Sequence, residues 1–145
     1  MLRDRLIPAL QREFAGWEMQ LDTPPRPIAT FPAAQPAVGR VLIYDDGNEA
    51  TVWIERIAHG HFHPDDATLS QAQRDEQVTE DVVDFLRALL GDRVLLYRTA
   101  AGGMGGWQRL DLDHATPVPL GLSQSLRYYL WSRPLECHER RSGEG

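Results

Sequence analysis

The chain has 145 residues, of which 42% are hydrophobic and 25% charged. That is the size and balance of one soluble domain with a full core. A formal net charge of -6 argues against general affinity for nucleic acid or anionic membranes. All fifteen basic residues are arginine, which excludes lysine Schiff-base and lysine general-base chemistry, and the single Cys137 excludes an intrachain disulfide.

Leu2, Leu6, Leu10, Phe14, Trp17 and Leu21 recur at steps of three or four and predict an amphipathic helix over 1–22. Asp4 is a candidate cap, and Pro8 fits only if it lies in the first turn. The charges in "MLRDRLIPALQREF" leave no uninterrupted apolar run for a signal peptide, and no segment approaches ~18 apolar residues. A cytoplasmic protein, bacterial by its Arg, Ala, Pro and Gly usage, is the expectation.

Residues 23–39 hold five prolines and cannot be a regular helix. They predict an extended arm laid across the fold and held by Ile28 and Phe31. Residues 40–63 predict a hairpin turning at Asp46-Gly47. That register sets Ile43 opposite Ala50 and Val41 opposite Val52, an apolar face that must point to the core. The opposite face carries Tyr44, Glu49, Thr51 and Trp53. Continuing the alternation past Glu55 puts His59, His61 and His63 on the Trp53 face, away from the core.

Ser70 and Gln73 form a capping box at the head of a helix over 70–91, with a stripe of Val78, Val82, Phe85, Leu86 and Leu89. Acids at 75, 76, 80, 81 and 84 are expected on its solvent side, and Gly91 as its stop. Residues 92–134 predict a second hairpin around "AAGGMGG" and a last strand, "LRYYLWSRPL", before a frayed tail at 137–145. The whole of 1–145 is therefore expected to be one α+β domain. Its antiparallel sheet has about five strands, from two hairpins plus a C-terminal strand, with two main helices packed on one face.

The histidine stretch "HGHFHPDD" is the strongest chemical signal. A His-x-His pair on a strand projects both imidazoles from one face, a spacing suited to zinc or another transition metal. A straight strand rising roughly 3.3 Å per residue separates His59 and His63 by about 13 Å, too far for one ion. The candidate metal set is His59 and His61 with Asp65, Asp66 being a substitute, and His114, Cys137 and His138 distant alternatives. The same histidines also fit a plain strand end packed on Trp53. Resemblance to the His-x-His-x-Asp-His motif of metallo-β-lactamase-fold hydrolases stops at His63, where that motif has aspartate. The loop "AAGGMGGW" lacks the Gly-Lys-Ser/Thr ending of a phosphate loop, and no serine has a nucleophile-elbow context. No catalytic residue is assigned, the expectation leans away from an enzyme, and no cofactor is expected other than a zinc or similar transition metal ion at the histidines.

Aromatics interleaved with arginine predict a protein-binding surface. The candidate contacts are Tyr44, Trp53 and Trp107 on the strands and Asp81 and Asp84 on the acidic helix face. An unknown protein partner is expected, with a homodimer open, and neither nucleic acid nor membrane. "GRVLIYDDGNEATVWIERIAHGHFHPDD", "TEDVVDFLRALLGDRVLLYR" and "GGWQRL" together resemble small bacterial single-domain proteins without an established activity. Size, acidity and single-domain design also resemble immunity proteins that neutralise secreted toxins. These resemblances imply a non-enzymatic interaction domain and transfer no site residue. The alternative is a small metal-dependent hydrolase using His59 and His61.

Overall fold

The computed structural model describes residues 1–101, 105–111 and 126–135. Two helices and two antiparallel sheets form an α+β fold. Helix α1 spans Leu2–Glu13 and α2 spans Gln71–Leu90. The first sheet runs β1 (Gln20–Leu21), β2 (Ala29–Phe31), β3 (Val41–Asp45), β4 (Ala50–Ile54) and β5 (Ala58–Phe62), each strand beside the next. The second contains β6 (Val94–Thr99), β7 (Gly105–Arg109), β8 (Leu126–Tyr129) and β9 (Pro134–Leu135) in the order β7-β6-β8-β9. The five-stranded antiparallel sheet is thus present. The first hairpin is joined in it by residues 20–21, the arm and the histidine stretch, while the second hairpin and last strand form a sheet of their own.

The inner face of the first sheet is written in its ladder. Phe31, Val41, Ile54 and Ala58 make one cross-strand row, and Ala29, Ile43, Val52 and Gly60 the next. Alternation puts every second side chain on this face, and in these two rows those of β2, β3 and β4 are fully buried. Helices α1 and α2 pack on each other and close the core with Leu6, Leu10, Val82, Phe85 and Leu86. At Gly60 the inner row has no side chain, and Trp107 of β7 fills the space. A Cβ built there would lie 2.8 Å from its ring. This seam joins the two sheets, with the Phe85 ring tilted against Trp107 at 4.9 Å between centroids.

Three local expectations change. Helix α1 stops at Glu13, short of residue 22, and Trp17 and Leu21 are exposed. Pro8 lies inside the helix rather than in its first turn, and Asp4 does not cap it. The first hairpin pairs Ile43 with Val52 and Asp45 with Ala50. Its turn is closed by the Asp46 amide donating to the Glu49 carbonyl at 2.9 Å, with Gly47 at φ +95, where glycine alone carries no steric penalty. The pairing is offset by two residues from the predicted one. Because strand period is two, each side chain keeps its predicted face.

Helix α2 agrees at both ends: Ser70 and Gln73 form the reciprocal capping box and Gly91 is the C-cap. Asp75, expected on the solvent side, is 4% exposed instead. It accepts a hydrogen bond from Gln71 Nε2 at 2.8 Å and lies 4.0 Å from the terminal ammonium of Met1. Ile28 and Phe31 are buried as the arm reading requires. No helix among the described residues is long and apolar enough to cross a membrane.

Candidate functional site

The chain turns at 55–57, where the Ile57 amide donates to the Ile54 carbonyl at 2.8 Å, and the histidine stretch returns beside β4 as β5. It is therefore not a continuation of β4 but its antiparallel neighbour. Trp53 pairs with His59, and Thr51 with His61. His59 and His61 still lie on the Trp53 face, because the reversal preserves parity.

The outer face of this sheet has two ladder rows that matter. One runs Thr30, Leu42, Trp53, His59 and the other Tyr44, Thr51, His61. Trp53 is 39% exposed and stacks on His59, with ring centroids 4.2 Å apart and planes 25° from parallel. His59 in turn meets His61 edge-on at 5.3 Å. The turn of the hairpin brings Asp46 and Glu49 over the end of this face. Together Tyr44, Asp46, Glu49, Thr51, Trp53, His59 and His61 line an open cleft of about 440 Å³.

At its turn end the cleft holds a compact polar group. His61 Nδ1 lies 2.8 Å from Glu49 Oε2 and 3.0 Å from the Thr51 hydroxyl. That hydroxyl, on a residue only 6% exposed, donates to Asp46 Oδ2. One donor atom from each of Asp46, Glu49 and His61 lies within 4.8 Å of the other two. A mixed set of one imidazole and two carboxylates can hold a divalent metal ion or a cationic group. At the opposite end of the same face, Arg40 and Glu55 form a bidentate pair, with Arg40 Nη2 at 2.7 Å from Glu55 Oε2. The hydrogen bonds from the Arg40 side chain and backbone hold the Glu55 carboxyl down at about 2.

The sequence candidates are dispersed over the molecule. Of His59, His61 and Asp65, only His61 joins the carboxylate group. His59 is committed to the Trp53 stack, and Asp65 lies beyond β5, where its charge acts on Asp81 of α2. Asp66 accepts from Thr68 in its own loop. His63 is exposed beyond the end of β5, and His114, Cys137 and His138 lie outside the described residues. Of the partner-contact candidates, Tyr44 and Trp53 share the outer sheet face. Trp107 is half-buried at the seam against Phe85 and Gly60. Asp81 and Asp84 are exposed on α2. Neighbouring protein atoms strip part of the water from the exposed Asp81 carboxyl and, with the charges of Glu80, Asp65 and Asp84, push it up, while Asp84 accepts from Arg109 at 3.1 Å.

From the sequence, Asp46 reads as a turn residue, Glu49 as part of a solvated strand face rather than one of a carboxylate pair, and Thr51 as an outer-face residue. The parity rule that placed His61 on the Thr51 face was the signal for Thr51; the two acids needed the true turn. Compared with protein-family models, with curated proteins and with solved structures, the chain matches none.

Proposed function

We propose that the protein is a non-enzymatic interaction domain that binds a protein partner across the outer face of its five-stranded sheet. The observation that carries this reading is the exposed Trp53 ring, held flat against His59 in the middle of that face with Tyr44 one strand away. A preordered aromatic costs little conformational entropy on binding, and tryptophan and tyrosine are enriched among the residues that dominate interface energetics. Acidic side chains at the rim, together with the net charge of -6, favour a basic partner, whose arginine or lysine can sit over the indole. That electrostatic match is in keeping with the resemblance to immunity proteins.

The test is affinity capture with the whole chain and mass-spectrometric identification of what is retained, comparing wild type, Trp53→Ala and the pair Asp81→Ala with Asp84→Ala. A basic protein held by wild type and by the α2 variant, and released by Trp53→Ala, supports the sheet face. Retention by Trp53→Ala sinks it.

One observation favours a second reading, a small metal-dependent hydrolase: His61 sits against two carboxylates. Zinc-dependent cleavage of an activated ester or phosphoester, lost in His61→Ala, is its test, and an inactive zinc-loaded chain removes it.

A further inference from the structure

We infer that Asp46, Glu49 and His61 form a binding site for one first-row divalent transition metal ion, for which Zn²⁺ is the probe. The donor set differs from the one the histidine spacing suggests: His59 and Asp65 are not in it. The inference does not rest on partner binding, since the ion would occupy the turn end of the face and Trp53 its middle.

The backbone supplies the preorganisation. Thr51 and His61 are cross-strand partners in the β4–β5 ladder, and Asp46 and Glu49 are the two residues whose backbone hydrogen bond closes the β3–β4 turn. Three ligands are thereby carried by one rigid three-stranded unit, with few backbone torsions left to fix on binding. The His61 ring is oriented by the edge of His59 on one side and by Glu49 and Thr51 at Nδ1. Zinc ligands at about 2.0–2.2 Å from the ion stand roughly 3.3 Å apart in tetrahedral geometry. The present limit of 4.8 Å is closed by small rotations of the two carboxylates at the mouth of the cleft.

Charge points the same way. Arginine neutralises Asp22, Glu13, Glu55, Asp84 and Asp111. Among the described residues Glu49 has only His61 as an ion-pair partner and Asp46 has none. Two carboxylates and a neutral imidazole together carry a formal charge of -2, which a divalent ion cancels. The buried Thr51 hydroxyl, bonded to Asp46, is the outer-shell group that fixes a ligand's orientation, a role whose loss typically lowers metal affinity 10–100-fold. An imidazole in the set disfavours Ca²⁺ and Mg²⁺, which take oxygen ligands. The site is open on the cleft side, so water or a ligand atom completes the coordination.

The experiment is a Zn²⁺ titration of the untagged full chain by calorimetry in a non-chelating buffer, with Co²⁺ absorption as a geometric probe. One ion per chain is expected. His61→Ala, Asp46→Asn and Glu49→Gln should each weaken it by at least about tenfold, and Thr51→Val by about tenfold. His63→Ala should leave affinity within about twofold. Asp46→Asn and Glu49→Gln are near-isosteric changes at the turn, so circular dichroism matching wild type separates lost ligation from lost folding. Absence of saturable binding would overturn the inference. So would binding that survives both His61→Ala and Asp46→Asn, or that is lost in His59→Ala and retained in Asp46→Asn.

Discussion

On the inner side of β4, Val52 and Ile54 are completely buried, and each has a buried or half-buried neighbour on both flanking strands. One residue away on the outer side, Trp53 is 39% exposed and its cross-strand partner is a histidine. The strand is the same and the solvent contact opposite. Inner positions answer to volume and hydrophobicity alone, because any polar atom there would be left without a partner. Outer positions are released from that demand, and threonine or lysine would serve the fold there as well as aromatic rings do. A tryptophan, a tyrosine, two histidines and two turn carboxylates gather on the released face, and the proposed binding surface is built from them.

The largest expected effect tests the inner side. Ile54→Ala removes a fully buried side chain between Val41 and Ala58 and should cost about 2–5 kcal/mol in urea denaturation at unchanged m-value. A loss below about 1 kcal/mol would mean that the row is loosely packed and that the contrast between faces is weak. Next comes Gly60→Ala, which sets a methyl group 2.8 Å from Trp107 where backbone and ring already touch. The overpacking should cost about 2 kcal/mol and change near-ultraviolet circular dichroism as the indole is displaced. An unaltered spectrum would show that the two sheets are joined elsewhere.

That seam also marks where the sequence stops being legible. Periodicity placed Val41, Ile43, Val52 and Ile54 inside and Tyr44, Trp53, His59 and His61 outside, and a period of two made those assignments immune to a pairing offset by two residues. The same insensitivity hid the register. "DDGN" offers turn chemistry at two neighbouring positions, and only the Asp46–Glu49 backbone bond selects between them. The reversal at 55–57 has neither glycine nor proline, so β5 read as a continuation of β4 and the meeting of His61 with residues 46 and 49 could not be seen. The way the two sheets meet depends on Trp107 covering Gly60, a contact between residues far apart in sequence. Asp75 is different: its charge led to the solvent side as the expectation, although it stands three residues before Val78 and so shares the buried stripe of α2.

Trp53→Ala sharpens the comparison from the outer side. It removes the stack on His59, a contact of the kind worth about 0.5–1.5 kcal/mol, from a residue that the core does not need. A loss of about 1 kcal/mol in the same denaturation assay is expected, well short of that for Ile54→Ala. Equal losses would break the comparison and return Trp53 to a structural role.

The smallest effect belongs to the Arg40–Glu55 pair, on the outer face beyond Leu42 and Trp53. Glu55 titrates at about 2 in the folded protein against an ordinary value of 4.5, so folding favours its ionised form. The sign follows from linkage: the contribution is complete above about pH 4.5 and is lost as the pH falls through 2. Side-chain exposures of 53% for Arg40 and 35% for Glu55 admit water and salt, which screen the pair strongly. Thermal unfolding of wild type and Glu55→Gln should therefore show a small gap near pH 6 that narrows toward pH 2 and shrinks in added salt. A gap that is independent of both pH and salt would assign the stabilisation to the hydrogen bond that Glu55 accepts from the Arg40 backbone amide, a bond the glutamine could keep only in part. The outer face would then contribute to the fold through backbone geometry at its end, while the ring stack and the turn carboxylates remain the parts of it that folding does not require.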